Sequence, residues 1–183
     1  GMPAALFMMR TLTLLRAQGC AKSTPDELLP TLNRLLIEGN ETDMFVTLCV
    51  LVFSVRDGRL IVLNGGHPPP LLSRQGGPFE TIADARGPLL GVIPQARFRS
   101  AETHLLPGDR ILLYSDGVTE AENLNSDLFG QVATQSCLDG LGVTAGASDL
   151  IRGLTGCLSG FTGGKEQSDD ITIVAMHFLG NAA

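Results

Sequence analysis

The sequence predicts an α+β protein whose sheets are largely antiparallel. Two helical patterns open the chain, a series of short strand-like segments follows, and two further helices precede a last strand. Helices and strands that are grouped in this way, without alternating, are typical of α+β folds and argue against a parallel sheet. Asp57-Gly58 between two apolar runs is in addition a strong signal for an antiparallel hairpin.

The two opening helices have different signatures. Residues 3–18 are apolar on almost every face, so we expect this helix to be buried on most sides. The second helix is predicted from Thr24, where Thr24 is the N-cap, Pro25 occupies the first helical position and Glu27 follows three residues after the cap.

The predicted hairpin pairs residues 44–55 with 59–64 around the Asp57-Gly58 turn. Runs of apolar and β-branched residues predict the other strands, and helical periodicity predicts the later helices. The strands are expected at 71–73, 79–82, 98–105, 110–114 and 170–178, and the helices at 128–141 and 148–161.

Composition predicts a single domain over residues 1–183, because 44% apolar and 17% charged residues are typical of a globular chain. A net charge of −6 with scattered basic residues argues against a nucleic-acid partner. The longest apolar stretch, 46–53, is far below the roughly 20 residues that span a bilayer, so no membrane association is expected. The cysteines lack C-x-x-C spacing, which predicts reduced thiols and a cytoplasmic location; they are Cys20, Cys49, Cys137 and Cys157.

The first candidate site residue is Asp116. Residues 106–121 contain a Pro-Gly turn and an apolar strand that ends abruptly on Asp116-Gly117. A carboxylate at the end of a buried strand is costly unless a cation meets it, and the glycine allows a close approach. The alternative is that Asp116 only caps the following helix or turn, which would be the better interpretation of an isolated Ser-Asp-Gly.

A second acidic pair, Asp169-Asp170, precedes the last predicted strand. Asp116 and Asp169 lie 53 residues apart, but antiparallel neighbours would bring the end of one strand to the start of the other. Converging carboxylates suit a hard cation such as Mg²⁺ or Mn²⁺. The pattern therefore indicates metal-assisted phosphate hydrolysis in which water is the nucleophile.

Several blocks together resemble a known family, the PPM-type metal-dependent serine/threonine protein phosphatases of the bacterial stage II sporulation protein E and sigma-regulator class. The resemblance extends over essentially the whole chain. It implies antiparallel β-sheets sandwiched between helical layers. The matching blocks occur in the family's order, at residues 1–6, 44–48, 64–72, 87–92, 107–121, 129–130 and 168–174.

The resemblance also implies roles for individual residues. Asp116 and Asp169 correspond to metal ligands for Mg²⁺ or Mn²⁺, and the catalytic group is a metal-activated water, with no side-chain nucleophile. Asp170 is the alternative ligand, but the family pattern matches the first acid of the pair. Gly117, Asp170 and His67 are second-tier candidates, and His67 beside glycine and proline is more typical of a turn residue.

Two acidic blocks that the family carries earlier have no counterpart here, so the resemblance implies an N-terminally truncated phosphatase domain. We expect impaired turnover, and a truncated chain can lack the metal. The chain could be a fragment of a longer regulator, a product whose start was assigned at the internal Met2, or a lineage that lost the front. Loss of the first strands would expose a sheet edge, which favours a homodimer.

The function implied by the resemblance is hydrolysis of phosphoserine or phosphothreonine on a regulatory protein in bacterial signalling. The expected partner is a phosphorylated protein of the anti-sigma antagonist type. The alternative is a non-catalytic pseudophosphatase module that binds a partner without turnover.

Overall fold

The computed structural model describes residues 2–20 and 24–180, which fall into two compact units. The first unit contains the described residues up to His67 together with Ala83–Thr103. The second contains Pro68–Ile82 and the described residues from His104 onward. Each unit has its own buried apolar cluster. The prediction that residues 1–183 form one domain stays a prediction.

The first unit combines two helices with a three-stranded sheet. The helices are α1 (Met2–Cys20) and α2 (Pro25–Ile37), and the sheet has the order β1 (Leu48–Phe53), β2 (Arg59–Gly65), β5 (Ala101–His104). The start of α2 is as predicted, since the Glu27 carboxylate accepts a hydrogen bond from the Thr24 amide at 3.2 Å. Leu29, Leu32 and Leu36 of α2 are almost fully buried in the core of this unit.

The predicted hairpin is confirmed. Strands β1 and β2 pair antiparallel, with a register that runs from Leu48 opposite Gly65 to Phe53 opposite Leu60. Gly58 in the connecting turn has a φ of 75°, a left-handed conformation that glycine adopts at little cost.

The expectation that the first helix is buried on most sides is wrong. Among the side chains of α1, Phe7 and Thr11 are buried, whereas Met2, Leu6 and Met9 are more than 60% exposed. Within this unit α1 packs against α2, and the Arg10 guanidinium donates to backbone carbonyls near the end of α2. One packing partner covers one stripe of a helix, so apolar residues on the other faces stay exposed. Gly1 and the side chain of Cys20 lie outside the described part.

The second unit contains a four-stranded sheet in the order β4, β3, β6, β7, with antiparallel pairing between neighbours. Its core includes Leu71, Leu112, Leu150 and Leu154, all fully buried. The predicted α+β class with antiparallel sheets is confirmed. The elements of this unit are β3 (Leu71–Ser73), β4 (Phe79–Thr81), β6 (Arg110–Tyr114), α3 (Asp116–Thr119), α4 (Gly130–Asp139), α5 (Ala147–Thr162) and β7 (Ile173–His177).

Buried polar contacts fix the start of β6. The fully buried side chain of Asp109 accepts hydrogen bonds from the Arg74 guanidinium at 2.6 Å and from the Gln75 and Leu106 amides at 3.0 Å. The Arg110 guanidinium stacks on the Phe79 ring, 5.2 Å from its centroid. Asp109 therefore does more than form the turn that the sequence predicts.

Strand β7 is shorter than predicted. The sequence predicts a strand from residue 170, whereas the ladder with β6 begins at Ile173 opposite Tyr114. The Thr172 amide donates to the hydroxyl of Ser115, at 2.9 Å, where a continued ladder would supply a backbone carbonyl. A side-chain bond thus replaces one of the two backbone bonds at this position, while the Ser115 amide still donates to the Thr172 carbonyl at 2.9 Å.

The prediction of reduced thiols is wrong for two of the four cysteines. Cys137 of α4 and Cys157 of α5 form a disulfide that joins these helices. Their separation of 20 residues carries no motif, and only the packing of α4 against α5 brings the two sulfurs together. The argument for a cytoplasmic location from reduced cysteines is therefore lost, and the location stays a prediction. Cys49 is a free thiol, and burial raises its pKa to about 11.

None of the helices described here is both long and apolar enough to cross a membrane.

Asn33 provides a test of the first unit. Its buried side-chain amide donates to the Ile93 carbonyl at 2.8 Å and accepts from the Gly91 amide at 2.9 Å. Asn33→Ala leaves the buried Gly91 amide without a partner and removes one of the two bonds to the Ile93 carbonyl, so we expect a loss of about 1 to 3 kcal/mol in the free energy of unfolding, measured by urea denaturation. The exposed Asn125→Ala serves as the control and should change it by less than about 0.5 kcal/mol. Equal effects of the two substitutions would contradict this role for Asn33.

Candidate functional site

The candidate site lies where β6 ends and the chain approaches β7. Residues Ile111 and Leu112 of β6 are fully buried, and the strand ends at Tyr114, opposite Ile173 of β7. Asp116 follows two residues after Tyr114. The predicted arrangement is confirmed in two respects: Asp116 follows a buried strand, and the antiparallel neighbour of that strand is the one that Asp169 precedes.

Asp116 is the first residue of α3 and is exposed to solvent. Its carboxylate accepts a hydrogen bond from the adjacent Gly117 amide at 3.1 Å, and its backbone carbonyl accepts from the Glu120 amide at 2.8 Å. The N-cap position belongs to Ser115, not to Asp116. The capping role that the sequence left open for Asp116 is therefore not observed.

Asp169 and Asp170 lie in the exposed segment before β7. The Asp169 carboxylate accepts a hydrogen bond from the Asp170 amide at 2.7 Å, and the Gln167 side-chain amide donates to the Asp169 carbonyl. Both acids precede the ladder itself, because β7 begins at Ile173. The strand thus begins three residues later than predicted, and Asp169 does not lie directly before it.

The backbones of the two acidic segments touch at Gly117. A Cβ atom added at Gly117 would lie 2.5 Å from the Asp170 carbonyl oxygen and 3.3 Å from that of Asp169. A contact of 2.5 Å to a backbone atom is too short for any side chain, so glycine is required here for steric reasons. The fold therefore brings the Asp116 loop against Asp169-Asp170.

The electrostatic character of this region is acidic. Among the described residues, no lysine or arginine forms an ion pair with Asp116, Asp169 or Asp170. Carboxylate oxygens are ligands for hard divalent cations, and Mg²⁺ usually keeps several waters instead of a full set of protein ligands. The donors present fit a cation of this kind.

The same donors do not fit an ion that is ligated entirely by protein. Within the described ranges, no group of three or more histidine, cysteine, aspartate or glutamate side chains is arranged to hold a metal ion. A pair of carboxylates with water as the remaining ligands is therefore the most that this part of the chain offers.

A cavity of about 440 Å³ opens beside the same segments, lined by Gly117, Ser168 and residues of α5. Leu158 and Ile171 contribute apolar surface, and Thr155 contributes a hydroxyl. The lining also includes Glu122 and Lys165, which form an ion pair. The hydrogen bond from Lys165, together with its charge, holds the pKa of Glu122 below its usual range.

His67 belongs to the first unit, whereas Asp116, Gly117, Asp169 and Asp170 belong to the second. Its amide donates to the Asn64 side chain and its carbonyl accepts from the same side chain, both at 2.9 Å. The Thr47 hydroxyl lies 3.2 Å from Nδ1 of the ring. These contacts agree with a turn residue, and its second-tier role stays a prediction.

Sequence reasoning missed the contribution of Ser115. Its hydroxyl donates to the Asp170 carbonyl at 2.9 Å and accepts from the Thr172 amide. The ion pair of Lys165 with Glu122 was also missed. Neither contact has a local signal, because the partners lie 43 to 57 residues apart.

Comparisons with known proteins place the chain among its relatives. The family model described as stage II sporulation protein E (SpoIIE) matches residues 1–179. Phosphoserine phosphatase RsbU of Bacillus subtilis is 28% identical over 128 residues, which is 70% of this chain and 38% of that protein. The chain spans only 22% to 38% of the length of the three curated relatives that it matches.

Two solved structures show the fold relationship. The crystal structure of the RsbU and RsbW domains of Rv1364c from Mycobacterium tuberculosis has a TM-score of 0.76 and 27% identity, and the match covers 97% of this chain and 48% of that one. The Mn-presoaked phosphatase domain of SpoIIE from Bacillus subtilis has a TM-score of 0.67 and 18% identity, with coverage of 94% and 75%. At 18% identity the second likeness shows the fold alone.

The contact at Gly117 provides a test of the site. Gly117→Ala must displace the Asp169-Asp170 backbone, so we expect a loss of about 1 to 3 kcal/mol in stability although alanine is the better helix former. Gly156→Ala in α5 is the matched control, because a Cβ atom there meets nothing within 4 Å. That variant should be stabilised by about 0.5 to 1 kcal/mol. Thermal melting of both variants gives the comparison, and equal stabilisation would contradict the close approach at Gly117.

Proposed function

This chain belongs to the stage II sporulation protein E family, a protein phosphatase family, and from that premise we propose that it serves the metal-dependent hydrolysis of phosphoserine or phosphothreonine on a protein. The observation that carries the proposal is the contact between the Asp116 loop and Asp169-Asp170. Asp116, Asp169 and Asp170 are exposed and have no cationic partner among the described residues, so their carboxylate oxygens are open to a divalent cation.

We propose Asp116 and Asp169 as the ligands of one Mg²⁺ or Mn²⁺ ion. Asp170 is the alternative carboxylate, and Gly117 provides the space for the close approach of the two segments. When bound, a divalent cation of this kind activates a water and neutralises charge on the phosphate. His67, which belongs to the first unit, stays a second-tier candidate.

The chain's own residues then hold and orient the two proposed metal ligands. Asp116 is fixed at the end of a buried strand, and its carboxylate is oriented by the Gly117 amide. The Asp169 carboxylate is oriented by the Asp170 amide. No side-chain nucleophile is needed, because water attacks the phosphorus atom in such a mechanism.

We propose a phosphorylated regulatory protein of the anti-sigma antagonist type as the substrate. Two relatives are named as phosphoserine phosphatases, and the Rv1364c structure combines RsbU and RsbW domains. The cavity beside Gly117 and Ser168 supports a protein substrate, since its lining combines apolar and polar groups that suit a peptide segment next to a phosphorylated residue.

We further propose that the two units act as one phosphatase domain, because the family match runs through both of them. A homodimer is the proposed form, as expected from the sequence.

This chain by itself is expected to turn over slowly. Two carboxylates can serve one cation, and the described residues contain no larger cluster for a second. The same observation favours the alternative function, a pseudophosphatase module that binds a regulatory partner without hydrolysis.

Hydrolysis of p-nitrophenyl phosphate with Mn²⁺ tests the proposal. The chain is compared with a form extended by the reading frame upstream of residue 1, and Asp116→Asn and Asp169→Asn are made in both. We expect turnover mainly in the extended form. Either substitution removes a proposed metal ligand, so turnover should fall by more than the about 10- to 100-fold that is typical of losing a residue that only orients a ligand. The exposed Asp84→Asn is the control and should keep full activity.

Robust turnover by this chain alone would refute its expected impairment. No turnover in either form, with an upstream frame that also lacks acidic motifs, would favour the pseudophosphatase. Activity that survives Asp116→Asn would contradict the proposed ligand.

A further inference from the structure

Ser115 binds the segment before β7 at three points. Its amide donates to the Thr172 carbonyl at 2.9 Å, its hydroxyl donates to the Asp170 carbonyl at 2.9 Å, and the same hydroxyl accepts from the Thr172 amide at 2.9 Å. A serine hydroxyl has one proton to donate, so its donor capacity is fully used. One small side chain thus connects the residue before Asp116 to the residues directly after Asp169.

The Ser115 hydroxyl does not cap α3. Ser115 occupies the N-cap position, where a serine side chain ordinarily accepts a hydrogen bond from an amide of the first turn. Here its hydroxyl makes no such bond, and the Val118 amide bonds instead to the Ser115 backbone carbonyl at 3.0 Å. The hydroxyl therefore serves the segment before β7 and not the helix.

The position of these bonds explains the path of the chain. The ladder between β6 and β7 ends at Tyr114 opposite Ile173, and the Ser115 hydroxyl takes up the next amide, that of Thr172. The same hydroxyl also holds the Asp170 carbonyl, which lies so close to Gly117 that no side chain would fit there. Ser115, before Asp116, thus binds the Asp170 carbonyl, and Gly117, after Asp116, leaves the space for it.

We propose that Ser115 is a positioning residue that sets the separation of the Asp116 and Asp169 carboxylates for one divalent cation. This rests on the proposed function, because it assigns a task within the same site. Asp169 has no ion pair among the described residues and lies in an exposed segment. The Gln167 side chain holds its carbonyl, and the bonds of Ser115 to Asp170 and Thr172 restrict the backbone that follows it. Residues that orient metal ligands typically contribute about 10- to 100-fold to metal affinity.

The proposal distinguishes four variants. Ser115→Ala removes both hydroxyl bonds and should weaken Mn²⁺ binding about 10- to 100-fold. Ser115→Thr retains the hydroxyl and should bind within about threefold of the unsubstituted chain. Ser115→Cys keeps a side chain of similar size with a weak donor and acceptor, so it should fall between them. Thr13→Ala is the matched control, because its exposed hydroxyl bonds to the carbonyl of Met9 within α1, and its affinity should not change.

The measurements are the Mn²⁺ dissociation constant by titration calorimetry, the melting temperature without metal, and amide hydrogen exchange in the metal-free chain. Exchange at Thr172 should rise in Ser115→Ala and not in Ser115→Thr or Thr13→Ala, since the Thr172 amide loses its acceptor only in Ser115→Ala. If Ser115→Ala weakened Mn²⁺ binding only through a general loss of stability, its melting temperature would fall and Ser115→Thr would not restore binding. If Ser115→Ala does not fold, Ser115→Cys and Ser115→Thr give the same comparison.

Each outcome either supports or overturns the positioning role of Ser115. Weak binding by Ser115→Ala or Ser115→Cys, restored by threonine, supports the proposal. Unchanged affinity in the alanine or cysteine variant overturns the positioning role, while loss of binding in Asp116→Asn would still support the proposed function. If the unsubstituted chain binds no Mn²⁺, or if Asp116→Asn binds equally well, the proposed function fails and the role of Ser115 fails with it.

Discussion

The antiparallel pairing of β6 with β7 is the interaction on which the candidate site depends. It brings together two acidic segments that lie 53 residues apart in the sequence, and its last pair joins Tyr114 to Ile173. Buried contacts of Asp109 and Arg110 fix the other end of β6. Since a shift of one residue would turn every side chain of a strand to the opposite face, this register decides which residues meet beyond the ladder.

Beyond the ladder, small residues decide the geometry. Gly117 leaves room for the Asp170 carbonyl, and Ser115 binds the backbone on either side of Ile171. The carboxylates themselves form no ion pair among the described residues, although a rigid strand and two small side chains keep their segments in contact. In the proposed function, a divalent cation would bind these carboxylates and activate a water for phosphate hydrolysis.

Much of this was predictable from sequence. Asp57-Gly58 predicted the first hairpin, the Thr24 to Glu27 pattern predicted the start of α2, and the apolar run before Asp116 predicted a buried strand. The predictions failed where tertiary contacts determine the burial or the pairing of a residue. The number of packing partners around α1 leaves Met2 and Leu6 exposed, and the disulfide of Cys137 depends on the packing of α4 against α5. Ser115 was missed because its partners lie 55 and 57 residues away.

The most direct test of the account is anomalous scattering from a crystal of this chain soaked in Mn²⁺. The account requires one anomalous peak within bonding distance of a carboxylate oxygen of Asp116 and one of Asp169 or Asp170, with water as the remaining ligands. The peak should vanish in Asp116→Asn. An ordered site region without a peak, or a peak that contacts neither acidic segment, would contradict the claim that the β6–β7 pairing builds a metal site.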